Sequence, residues 1–117
     1  MLNIIYRLYD ALGLEIDGDD PALVIDNDLT VYFNESGETL EMCCPVGALP
    51  KDVAILHRAL QLNYASPVTL AADEENTLLL ALMRFPEESA AAEVESGLHQ
   101  LVAVTRKMRQ HLLPAAY

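Results

Sequence analysis

The sequence predicts a single α+β domain, with elements in the order α-β-β-β-α-β-β-α and an antiparallel twisted sheet flanked by helices. Three observations carry this. Apolar residues recur at helical spacing at both ends of the chain and in the middle. Short strand-like segments between them are joined by tight turns, as antiparallel hairpins require. The 117 residues, 52% apolar and 21% charged, suit one globular core without repeat, linker or low-complexity tract.

The first helix is expected over residues 2–12. Leu2, Ile5, Leu8, Tyr9 and Leu12 fall on one face, and Gly13 stands where a helix stop belongs. Residues 15–21 are acidic and turn-rich, hence a loop. Strands follow over 22–26, 29–34 and 38–44. Asn27-Asp28 has two-residue hairpin chemistry, and Gly37 frees the next turn to take positive φ. In the second strand Leu29, Val31 and Phe33 alternate with Thr30, Tyr32 and Asn34, which gives one apolar face.

Residues 45–50 are expected to connect. A helix over 52–63 carries Val53, Leu56 and Leu60 as a stripe, widened by Ile55 and Leu62, and Pro67 prevents its continuation. Strands over 68–72 and 77–85 surround an acidic turn. Pro86 is expected to open the last helix, which runs to Leu113 with Val94, Leu98, Leu101, Thr105, Met108 and Leu112 on one face. Arg106, Lys107 and Arg109 near its end complement the helix dipole without any nucleic-acid partner.

Eighteen acidic against seven basic residues give a formal charge of −11. This argues against nucleic acid and against insertion into or adhesion to an anionic membrane. It favours solubility and would suit a basic or apolar polypeptide. No apolar stretch reaches the roughly 18 residues of a membrane span. Arg7 and Asp10 interrupt the N-terminal apolar stretch, unlike a secretory signal, so a cytoplasmic location is expected.

Chemistry is sparse, and no cofactor, metal or catalytic group is expected. There is no phosphate loop and no nucleophile elbow. His57, His99 and His111 show no i, i+4 pair, and each falls off the main apolar stripes. Cys43 and Cys44 are adjacent, so on a strand they point to opposite faces and read as two small apolar side chains. A Cys44–His57 nucleophilic pair is the enzymatic alternative. Asp17, Asp19 and Asp20 lack the twelve-residue calcium-loop pattern and read as a solvated acidic loop.

Residues 78–83 (LLLALM) do not alternate, so both faces of that strand must be covered. A homodimer accounts for the second face, and a monomer with helices on both faces is the alternative. The remaining surface fits an extended peptide, which can add to a sheet edge while its side chains enter apolar grooves.

The order of elements resembles the class I chaperones of type III secretion, the Tir chaperone (CesT) family. Leu12-Gly13-Leu14, the segment PVGALP (45–50), Leu62-Asn63, VTLAAD (68–73) with Leu78-Leu79-Leu80, and Arg84-Phe85-Pro86 carry the likeness. The resemblance implies a cytoplasmic homodimer that binds the N-terminal region of a secreted effector, keeps it extended and secretion-competent, and prevents its aggregation. It implies effector contacts at Ile4, Leu8, Leu23, Ile25, Val31 and Phe33. It implies a dimer interface at Val53, Leu56, Leu60, Leu78, Leu80 and Leu82. The alternative is a non-enzymatic cytosolic regulatory or protein-binding module of the same fold.

Overall fold

The computed structural model describes residues 8–14, 22–36 and 38–112, with backbone alone at 35, 36, 111 and 112. The first helix before Leu8, Ile4, the acidic loop with Asp17, Asp19 and Asp20, and Gly37 lie outside the described residues.

Residues 8–11 are helical, and the stop falls at Gly13, whose φ is +72°. The Leu14 N–H donates to Tyr9 O at 2.8 Å and the Gly13 N–H to Asp10 O at 3.1 Å, the two bonds of a Schellman closure. Strands β1 (Ala22–Ile25), β2 (Leu29–Ser36) and β3 (Thr39–Ala48) form a meander. Helix α1 (Val53–Ala65) follows, then β4 (Thr69–Ala72), β5 (Leu78–Pro86) and helix α2 (Ala91–Leu112). The five strands make one antiparallel sheet in the order β1-β2-β3-β5-β4. β5 thus inserts between β3 and β4, leaving β1 and β4 as edges among the described residues.

Residues paired across an antiparallel ladder share a face. Leu23, Val31, Phe33, Met42, Cys44, Leu70, Ala81 and Met83 fill one face and join Leu8 and Tyr9 with Val94, Leu98, Leu101 and Met108 of α2 in one core. The rings of Tyr9 and Phe33 meet edge to face at 5.8 Å. The opposite face carries Tyr32↔Cys43↔Leu82, Pro45↔Leu80↔Ala71 and Glu41↔Arg84. Helix α1 sits beside β4, with Ile55 and Leu62 against the core and Ala59 buried. Asp52 caps it: Oδ1 accepts the Ala54 N–H at 2.8 Å.

Most ends shift by one or two residues, and two proline positions and one turn differ more from the sequence expectation. β3 does not stop at Cys44 but continues through Pro45 to Ala48. Proline is tolerated because the β2 ladder reaches only Cys43 and a bulge lies between Pro45 and Gly47. The last helix starts at Ala91, not Pro86, which instead ends β5 opposite Thr39. The first hairpin has three loop residues rather than two, since Ile25 pairs with Leu29. Asp26 and Asn27 take positive φ of 52° and 61° there, which short polar side chains tolerate.

Candidate functional site

Two of the basic residues on α2 are braces as well as dipole partners. Arg109 donates from Nε to Val46 O at 2.8 Å, and from its other nitrogens to Asp28 O at 2.9 Å and Pro45 O at 3.2 Å. Past Cys43 the β3 strand has no β2 partner, and Arg109 supplies donors to the Pro45 and Val46 carbonyls there. Arg106 reaches Asp26 at 2.8 Å and Asp28 at 3.2 Å. Together they hold the β1–β2 turn against the helix and fix where β1 runs.

That placement forms a hollow of about 400 Å³ between the N-terminal helical stop, β1 and α2. Leu12, Leu14, Leu23, Val24, Ile25 and Val102 make its apolar lining, with His99, Asp26 and Arg106 at the polar margin. It lies beside the outer side of β1, on which no further strand pairs among the described residues. A second hollow, of about 580 Å³, lies over Pro67, Met83, Phe85, Ala92, Gly97 and Gln100. Gly97 lets α2 approach: a Cβ there would stand 2.3 Å from Phe85 Cζ.

The residues expected to touch a client sort unevenly. Leu8 and Val31 expose none of their surface, and Leu23 and Phe33 are buried, so all four belong to the core and only Leu23 also lines the first hollow. Ile25 is half-buried and lines the first hollow. Ile4 lies outside the described residues. Surface that sequence reasoning did not select is offered by Leu14, by Val24 at 64% exposure, and by Tyr32 at 51%.

The residues expected at a dimer interface also divide. Val53, Leu60 and Leu78 are exposed, Leu56 and Leu80 are half-buried, and Leu82 is buried at 8% exposure. Leu82 faces away from the main core and joins none of it. Tyr64, at 96% exposure, extends the Val53–Leu60 stripe along α1. One turn of spacing beyond Leu60 was the available signal for it.

The thiols are held in their protonated forms. Burial, then the charge of Glu41 and then Cys44, pushes Cys43 up to about 11. Burial also raises Cys44, against the Thr105 hydrogen bond and the Arg109 charge. Cys44 lies in the core, whereas His57 is exposed on α1. Among the described residues no group of three or more His, Cys, Asp and Glu side chains is placed to share a metal ion. No helix among them is long and apolar enough to cross a membrane.

Residues 3–113 match the type III secretion chaperone domain family. The chain is 47% identical over 111 residues to the chaperone protein SigE of Salmonella typhi, covering 95% of this chain and 98% of that protein. It is 40% identical over 72 residues to the chaperone protein IpgE of Shigella sonnei, covering 61% and 60% of the two chains. Among solved structures, the fold is similar to a chain of the HopA1–SchA chaperone–effector complex, with a TM-score of 0.76 at 19% identity over 92% of this chain and 91% of that one. It is similar also to a chain of the ExoT–SpcS complex from Pseudomonas aeruginosa, with a TM-score of 0.72 at 21% identity over 89% and 92%. The chain belongs to the type III secretion chaperone family.

Proposed function

We propose that this chain, a single domain over 1–117, is a non-enzymatic cytoplasmic chaperone that acts as a homodimer on the N-terminal region of a secreted effector. It holds that region extended and secretion-competent and keeps it from aggregating. The observation that carries the reading is the apolar hollow set beside the outer side of β1, on which no strand pairs among the described residues. An extended segment can pair its backbone with such an edge while alternate side chains enter the hollow. Ile25 and Val24 would meet those side chains beside Leu23, which also lines the hollow, while Leu8, Val31 and Phe33 belong to the core behind it.

Covering apolar groups contributes roughly 25 cal/mol per Å², and much of it is offset by ordering the segment. A client must therefore wrap a large surface to be held. The chain's charge of −11 adds attraction for a basic segment and keeps the loaded complex dispersed.

The dimer reading draws on two surfaces that face away from the core. One is the α1 stripe of Val53, Leu56 and Leu60. The other is the sheet face with Leu78, Leu80 and Leu82. Replacing exposed Leu60 with Asp leaves the fold of one copy intact and should dissociate the pair; an unchanged mass by light scattering would count against this interface.

Co-expression with N-terminal fragments of proteins encoded nearby tests the chaperone role. A client fragment should co-purify and resist protease in the complex, yet be cut rapidly when alone. Fragments that never co-purify, or that fold and resist protease alone, would remove the reading.

A further inference from the structure

The sheet has two edges, and they are finished differently. In an antiparallel pair, alternate residues turn their N–H and C=O toward the neighbouring strand and the rest turn them away. On the edge strand β4, Leu70 turns both away from β5, because Asn63 takes them. The Asn63 Nδ2 donates to Leu70 O at 3.1 Å, and the Leu70 N–H donates to Asn63 Oδ1 at 2.6 Å. Two residues earlier on the same side, the Val68 N–H donates to Ser66 Oγ at 3.1 Å. A side-chain carboxamide offers the same donor and acceptor as a peptide unit, so Asn63 occupies Leu70 as an adjacent strand would.

Asn63 and Ser66 stand in the last turn and at the C-cap of α1. That helix buries Ala59 and packs Ile55 and Leu62 against the core, and the amide pair ties its C-terminal end to β4. Among the described residues no side chain makes the equivalent bonds to the outer side of β1. An open edge is a template for another chain, and proteins commonly close those they do not use.

We propose that Asn63 and Ser66 are an edge guard: they shut β4 against strand addition, so that copies of the chain do not join through it and β1 remains the strand-accepting edge. The consequence at β1 rests on the client reading above. The guard itself does not, and it is tested without a client.

The Asn63→Ala variant is compared with the native chain by amide hydrogen exchange and by light scattering over a concentration series, well below its unfolding temperature. Exchange at the Leu70 amide should rise roughly tenfold or more while the Met42 amide in β3 keeps its rate. The mass should grow with concentration beyond that of the native chain. Adding Ala72→Lys places a charge at the exposed end of the same edge. It should restore the native mass without restoring Leu70 protection, which simple loss of stability would not do. A native mass for Asn63→Ala at every concentration, or growth that Ala72→Lys leaves untouched, would overturn the proposal. Should Asn63→Ala fail to fold, Ser66→Ala carries the same comparison at the Val68 amide. Failed client capture alongside guarded, then unguarded, self-association would end the chaperone reading and leave the guard standing.

Discussion

Tyr9 is 4% exposed, and its hydroxyl has no hydrogen-bond partner among the described residues. Burial raises its pKa, so the phenol stays neutral and carries an unmet donor. Replacing Tyr9 with Phe keeps the ring contact with Phe33 and removes that donor. The expected result in urea unfolding is a gain of up to about 1 kcal/mol; a clear loss would show that the hydroxyl is bonded in solution. Cys43 makes a kinetic prediction. With its pKa near 11, about one thiol in ten thousand is ionised at pH 7, so alkylation should be slow and should climb roughly tenfold per pH unit toward that value. Gly97 sets two effects against each other. Alanine favours the helix by about 1 kcal/mol, but its Cβ would fall 2.3 Å from Phe85 Cζ. Overpacking of that kind costs about 1–3 kcal/mol. We therefore expect Gly97→Ala to lower the thermal midpoint, and Phe85→Leu in the same chain to turn the loss into a gain.

At the scale of elements, the turn between β4 and β5 is organised by one carboxylate. Asp73 accepts from the Thr77 and Leu78 N–H groups at 2.7 and 2.9 Å and from Thr77 Oγ1 at 2.7 Å. The Leu78 and Thr77 bonds hold its pKa below the usual value. A depressed folded pKa stabilises above the unfolded value of about 3.9 and loses that contribution as pH falls through the folded one. Protection of the Thr77 and Leu78 amides should therefore drop below pH 4 in the native chain and show no such step in Asp73→Asn. The strands and helices themselves were legible because each carries its period: alternation in β2, three-and-four spacing in α2, glycine at the first stop. What the prolines do was not. Pro45 reads as a break, yet a bulge with Arg109 supplying donors keeps the strand going. Pro86 reads as a helix start, yet it closes a ladder against Thr39 instead. In both places a distant partner decides what a proline does, and local sequence does not name that partner.

For the molecule as a whole, sequence gave the antiparallel hairpins but not the insertion of β5 between β3 and β4, because adjacency across the α1 excursion leaves no local pattern. The binding surface was legible only in outline. β1 reads Ala-Leu-Val-Ile, apolar on both sides, so nothing in the chain distinguishes core-facing Leu23 from outward Val24. The same ambiguity runs through β5, where Leu79 and Ala81 enter the core while Leu78 and Leu80 face the other way. Once the register is known, Phe33→Asp becomes a core charge beside Tyr9 and should unfold the chain. Val24→Asp is the cleaner probe of a client, because Val24 already meets solvent. The most direct measurement is the solution mass of the purified chain, alone and co-expressed with a client fragment. We expect twice the 12.9 kDa of one chain when alone, and a larger, fixed-composition particle containing the fragment when loaded. A particle of 12.9 kDa that leaves the fragment behind would contradict the account.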